Sequence, residues 1–221
     1  MPNNIFCKFG RKVDMEALFN KGELYLQTLE TFRRLEDKER GDKYEGAVRM
    51  RSDKKGKMTL TNKKTGESFD LDITESQLIE RHSGVSGLHI YCVYCLIFED
   101  HEGLQLGQNF GDEIINGFGD YVVVILDTYA FMEKVKASVE GQGFKLMSGR
   151  VDYLELNDYS GEMGPFRKDQ SFVHQKEFRI VLMGEGRPEG PLKLSIGSLK
   201  DIALIIPSEG IRNLQIKIKD I

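Results

Sequence analysis

The 221-residue chain lacks the features that would place it in several large classes. Its cysteines number three, Cys7, Cys92 and Cys95, an odd count that argues against a disulfide framework and for a reducing compartment. No apolar run approaches the roughly 20 residues that a membrane-spanning helix needs. The opening Met1-Pro2-Asn3-Asn4-Ile5 has neither the basic region nor the apolar stretch of a secretory signal. A cytoplasmic protein with no membrane contact is the expectation. No G-x-G-x-x-G follows a strand pattern and opens a helix, and no Walker loop is present, which excludes Rossmann and P-loop readings. Internal repeats and low-complexity tracts are also missing.

What is present suits a globular chain: 40% apolar and 30% charged residues, in a length that predicts one domain over 1–221. The net charge of −4 hides an asymmetry. Residues 1–64 hold 16 Lys and Arg against 10 Asp and Glu, whereas 65–221 hold 15 against 25. The basic segment 33–64 is therefore a candidate contact for nucleic acid or a protein partner. The alternative is a solvated face, since the aromatic interleaving of single-strand binders is missing.

Patterning along the chain predicts an α+β fold: a mixed, mostly antiparallel sheet, a few helices and an inserted β-meander. Ile5–Phe9 reads as a strand. A helix follows, with Asp14 as N-cap, Met15, Leu18 and Phe19 on one face, and Asn20-Lys21-Gly22 as its stop. Glu23–Gln27 is a second strand. Between Ala47 and Ile73, Val48, Met50, Met58, Leu60, Phe69, Leu71 and Ile73 alternate with polar neighbours. Lysine-rich turns separate them, predicting a three-stranded antiparallel meander. Glu75–His82 reads as a short helix. Leu88–Phe98 is apolar on both faces and should be a central strand, and Tyr121–Leu126 a second buried one. Asp127 or Thr128 caps a helix that ends at Gly141. Strands over 151–156, 175–183, 192–196, 202–206 and 215–219 complete the sheet.

Three groups of residues suggest chemistry. Cys92-Val93-Tyr94-Cys95 has C-x-x-C spacing, but inside a strand an offset of three puts the thiols on opposite faces, so core cysteines are expected. His82, His89, His101 and His174 are scattered and accompany no nucleophile motif, which predicts structural or surface roles. The segment Gln175-Lys176-Glu177-Phe178-Arg179 opens a strand, so Glu177 and Arg179 should share a face near its end. A carboxylate held there can act as a general base or stabilise a developing cation; the plainer reading is an ion pair fixing the sheet rim. Upstream, the glycine-punctuated run from Arg33 to Gly46 carries Arg33, Arg34 and Arg40 as forks suited to phosphate, with Glu36, Asp42 and Glu45 as carboxylates. It is the natural partner of Glu177 if the two face one hollow, and a salt-bridged turn if they do not.

Several blocks resemble a large, uncharacterised bacterial and phage protein family. They are Phe6-Cys7-Lys8-Phe9, Leu18-Phe19-Asn20-Lys21-Gly22, Phe32–Glu36 with Gly41-Asp42 and Glu45-Gly46, Tyr91–Cys95, Val151-Asp152-Tyr153, and Lys168 with Phe172 and Glu177-Phe178-Arg179. That family has a Phe-Asn-Asp-Pro-Phe-Glu-type loop, where this chain has Arg33-Arg34-Leu35 in place of Asn-Asp-Pro. More loosely, the element order and the Gln175-Lys176-Glu177 triplet are similar to ADP-ribosyltransferases, including the DNA-modifying toxins of that class. The similarity implies NAD as co-substrate and Glu177 as the carboxylate that stabilises an oxocarbenium-like ribose, with Gln175 and Arg179 beside it. Lys8, Arg33, Glu36, Asp42, Glu45 and Tyr91 would be substrate-binding. The departures are Tyr91-Cys92-Val93 where that class has Ser-Thr-Ser, and Lys8 near Arg11 where it has an Arg or His.

Two other functions compete. One is a non-catalytic module binding nucleic acid or protein, as in phage defence or counter-defence. The other is a metal-dependent nuclease built on Asp42, Glu45 and Glu177-x-Arg179; arginine in the lysine position makes this a poor fit, because it stays charged and accepts no proton. No metal-ligand set is assigned.

Overall fold

The computed structural model describes residues 3–34, 42–53, 55–98, 104–184 and 190–217. The chain divides into two compact units. Met1–Thr28, Leu88–Val151 and His174–Ile221 form the first; Leu29–Gly87 and Asp152–Val173 form the second. The second unit is wider than the expected 47–73 insertion, because residues from 152 onward return to it.

The first unit is α+β, built on an eight-stranded sheet. Its main path runs Lys145–Arg150, Glu177–Met183, His89–Phe98, Asn3–Gly10, Tyr121–Ile125 and Ala203–Pro207, every neighbouring pair antiparallel. His89–Phe98 is central, as its two apolar faces require. One of its edges is shared. Tyr94 pairs with Cys7 and Phe98 with Asn3, whereas His89 and Ile90 pair with Thr28 and Gln27 of Glu23–Thr28, whose far edge takes Leu192–Ser195. The edge therefore forks at Tyr91–Val93. There Lys8 Nζ donates to the Cys92 carbonyl at 2.7 Å and lies 4.7 Å from the centre of the Tyr91 ring. The ammonium supplies a donor where the ladder has none.

Strand parity sorts the side chains into two cores. Phe6, Tyr91, Val93, Cys95, Val123, Ile125, Ile180 and Leu182 face the helices Lys12–Lys21 and Thr128–Val139, meeting Met15, Leu18, Phe131, Val135 and Val139. Ile5, Cys7, Phe9, Tyr94, Leu96, Val122 and Val124 face Leu106, Phe110, Ile114, Ile115 and Ile211. Each such side chain, fully buried, stabilises by about 1.5–3 kcal/mol. Gly22 ends the first helix at φ 65°, its N–H reaching the carbonyls of Ala17 and Leu18. That helix starts at Lys12 rather than Asp14, which sits in the first turn and pairs with Arg11 at 2.7 Å. Asp127 caps the second helix, accepting from the Ala130 N–H at 2.8 Å.

The second unit departs most from expectation. Ala47–Asp53 does not join a meander with Gly56–Thr61; it pairs antiparallel with Ser76–Arg81, and its Arg49 and Met50 pair with Glu162 and Gly161. Glu75–His82 is thus largely strand rather than helix. Gly56–Thr61 and Ser68–Ile73 form a separate two-stranded hairpin. A short parallel pair joins Asp152–Leu154 to Arg167–Asp169. The core is small: Tyr44, Ala47, Met50, Leu156 and Met163, flanked by Ile79, Leu154 and Tyr159.

Candidate active site

Burying a polar or charged group is costly unless it is paired, so such groups concentrate at structural networks and at sites of chemistry. Among the described residues, the buried polar side chains are Thr28, Asp42, Glu45, His89, Lys168, Gln175, Glu177, Arg179 and Ser208. Asp42, Glu45, Gln175, Glu177 and Arg179 are residues singled out by the sequence, and Lys168 belongs to the family-like block.

In the first unit, Glu177 opens the Glu177–Met183 strand and Arg179 follows two residues on, so both project from one face. Arg179 Nε donates to Glu177 Oε2 at 2.7 Å. The arginine side chain is 2% exposed and the glutamate 10%, so the glutamate is the more accessible partner of a largely buried pair. The register gives Arg179 small neighbours, Gly149 on one flank and Cys92 on the other, which leaves room for a guanidinium inside a sheet. Opposite Glu177 stands Tyr94, whose ring packs edge-on against Phe9, Phe110 and Phe118. Gln175 is buried at the end of a 3-10 turn just before the strand.

Parity separates the remaining first-unit candidates from this group. Ile180, not Arg179, lies opposite Tyr91, so Tyr91 and Lys8 are on the other face of the sheet from Glu177. Both are occupied with structure there: Tyr91 in the helix-covered core, where burial pushes its phenol far above the ordinary range, and Lys8 at the fork. The substrate-binding roles expected of them do not sit beside the carboxylate. The C-x-x-C thiols take opposite faces as expected, Cys95 in the core and Cys92 beside Arg179.

In the second unit, Arg33 grips Glu30 through Nε at 2.9 Å and through a terminal nitrogen, and Arg34 Nε adds a bond at 2.8 Å. These bonds, Arg33's first, hold the Glu30 carboxyl down at about 2. Arg81 donates to the Lys43 carbonyl at 2.7 Å; burial, and then the charge of Arg33, disfavour its cation. Asp42 is buried and folds its own turn, accepting from the Tyr44 N–H at 2.8 Å, while its carbonyl takes the Glu45 N–H. Glu45 is buried beside it in sequence. Glu36 and Arg40 lie outside the described residues. Lys168 is buried, with its ammonium 4.3 Å from the Phe172 ring centre. Among the described residues no group of three His, Cys, Asp or Glu side chains is disposed to hold a metal ion, so the nuclease reading gains no support.

No family model, curated protein or solved structure matches the chain. Among the described residues, no helix is long and apolar enough to cross a membrane.

Three residues have placements that their sequence context did not reveal. Tyr94, not Tyr91, is the tyrosine on the Glu177 face, and Cys92 is the thiol there; counting strand parity from Arg179 would have found both had the register been known. Lys168 was noticed only as part of a block, because nothing in the run Arg167–Asp169 marks its middle residue as the buried one.

Proposed function

We propose that the chain is an NAD-dependent ADP-ribosyltransferase-like enzyme with Glu177 as its catalytic carboxylate. The observation that carries this reading is the Glu177–Arg179 pair. A strand-opening glutamate has its carboxylate oriented by a buried arginine, with the buried Gln175 two residues before it. A fixed negative charge of this kind stabilises positive charge that develops on a bound ribose.

In the proposed reaction the bond between ribose C1′ and the nicotinamide nitrogen breaks, and its electron pair leaves with nicotinamide, which departs neutral. The ribose becomes oxocarbenium-like beside Glu177. A nucleophile of the acceptor then bonds to C1′ and gives up its proton to solvent. Arg179 orients the carboxylate through the Nε bond and does not touch the ribose. Lys8 and Tyr91, on the opposite face, have no part in this step.

The test is transfer of labelled ADP-ribose from NAD to separate protein, DNA and RNA acceptors. The wild type should label one class. Glu177→Asp keeps a charge near Arg179 but withdraws the carboxylate by one methylene, and should label at least 100-fold less while melting close to the wild type. No label on any acceptor, with no nicotinamide released, overturns the reading.

One observation favours a second reading, a protein-binding module. The Gly56–Thr61 and Ser68–Ile73 hairpin presents Met58 opposite Leu71 and Leu60 opposite Phe69, all exposed on one face. A nucleic-acid contact gains less: the second unit holds 15 Lys and Arg against 17 Asp and Glu, without the basic surplus such binding draws on.

A further inference from the structure

We infer that Lys176 is a positioning residue for the Glu177 carboxylate, acting through its backbone conformation and not through its ammonium. The inference rests on Glu177 being the catalytic carboxylate. Lys176 has φ 43°, and among the described residues it is the one non-glycine with positive φ. A side chain in this left-handed region is strained, least for glycine and most for β-branched residues. Strain of this kind persists only where the surroundings over-determine it.

Here the surroundings are main-chain bonds on both sides. The Lys176 carbonyl accepts from the Cys95 N–H of the central strand at 2.9 Å, and the Glu177 carbonyl accepts from the Val151 N–H at 3.0 Å. In a continuous strand Gln175 and Glu177 would alternate onto one face. The left-handed residue instead ends the 3-10 turn at Gln175 and starts the strand at Glu177. Gln175 is buried on its own account, and Glu177 begins the ladder with its side chain aligned to Arg179. The Lys176 side chain is exposed, and among the described residues its Nζ reaches Asn109 Oδ1, at 3.4 Å. The side chain does not explain the conformation; the two flanking bonds do.

The test compares Lys176→Val, which resists the left-handed region, with Lys176→Gly, which adopts it freely, and Lys176→Met, which keeps the backbone cost but removes the charge. Two readouts are taken on the full chain: hydrogen exchange at the Cys95 and Val151 amides, and nicotinamide release from NAD resolved into kcat and KM. Lys176→Val should exchange both amides at least tenfold faster and lower kcat at least tenfold with KM within twofold. Lys176→Gly and Lys176→Met should match the wild type in both. If Lys176→Val does not fold, Lys176→Thr, also β-branched, should show the same ordering with smaller changes. Wild-type behaviour in Lys176→Val, or damage in Lys176→Met equal to that in Lys176→Val, overturns the inference. A wild type that consumes no NAD overturns the proposed reaction instead, and the exchange readout still decides whether Lys176 holds the strand start.

Discussion

Glu177 and Arg179 are the residues on which both stability and proposed chemistry converge, and the two demands can be separated. A buried pair is weak evidence for net stabilisation, but deleting one partner is costly. Arg179→Met should therefore destabilise by about 3–5 kcal/mol, and the double variant with Glu177→Gln should recover part of that loss. Denaturant unfolding of the four proteins closes a cycle with a coupling on the order of 2 kcal/mol; additive losses would mean the pair is incidental. The thiols offer a second check. Burial pushes the Cys7 and Cys95 thiols up, while Cys92 is half-buried, so one of the three cysteines should react with a thiol reagent in the native state and the other two only on unfolding. At Glu30 the folded carboxyl titrates at about 2 against an ordinary 4.5. Its contribution is present above the ordinary value and is lost as pH falls from 4.5 toward 2. Because Arg34 is largely exposed, the stability difference between wild type and Glu30→Gln should stay under about 1 kcal/mol at pH 7 and vanish near pH 2.

At the scale of elements, the boundaries that rest on local chemistry were readable and the pairings that rest on distant partners were not. Gly22 announced the end of the first helix because only a residue free at φ 65° can turn the chain there, and a Cβ at that position would meet the Gly197 carbonyl oxygen at 2.1 Å. Gly22→Ala should accordingly lower the melting temperature by several degrees, about 1–3 kcal/mol, through both strain and that collision. Asp127 announced the second helix by its side-chain oxygen. Residues 76–81 misled because Gln77, Leu78, Glu80 and Arg81 are good helix formers, and the choice of strand is made by Ala47–Asp53, which is remote in sequence. The same long-range pairing removed Ala47–Asp53 from the expected meander and left the 56–73 hairpin alone. With Leu60 and Phe69 already exposed, replacing both by threonine should change folding stability by no more than about 0.5 kcal/mol. A large loss in dilute solution would mean that the apolar face is covered within the chain.

Across the whole molecule, composition and local patterning were enough for an α+β fold with a mostly antiparallel sheet, because short continuous apolar runs mark strands buried on both faces and 3.6-periodic stretches mark the helices. The candidate site was readable only in part. Glu177 and Arg179 could be placed on one face by counting, and the C-x-x-C thiols on opposite faces by the same rule. Which face Lys8 and Tyr91 occupy depends on register, which no local pattern fixes, and the strain at Lys176 leaves no mark in a residue type that is common on surfaces. The proposed activity therefore rests on the strand-opening carboxylate, and it is tested by the rate of nicotinamide release from NAD by the wild type and by Glu177→Asp, each paired with its melting curve. Catalysis by Glu177 requires steady release by the wild type and a loss of at least two orders of magnitude in a variant that melts within a few degrees of it. Equal rates in the two proteins, or no release from either, would contradict it.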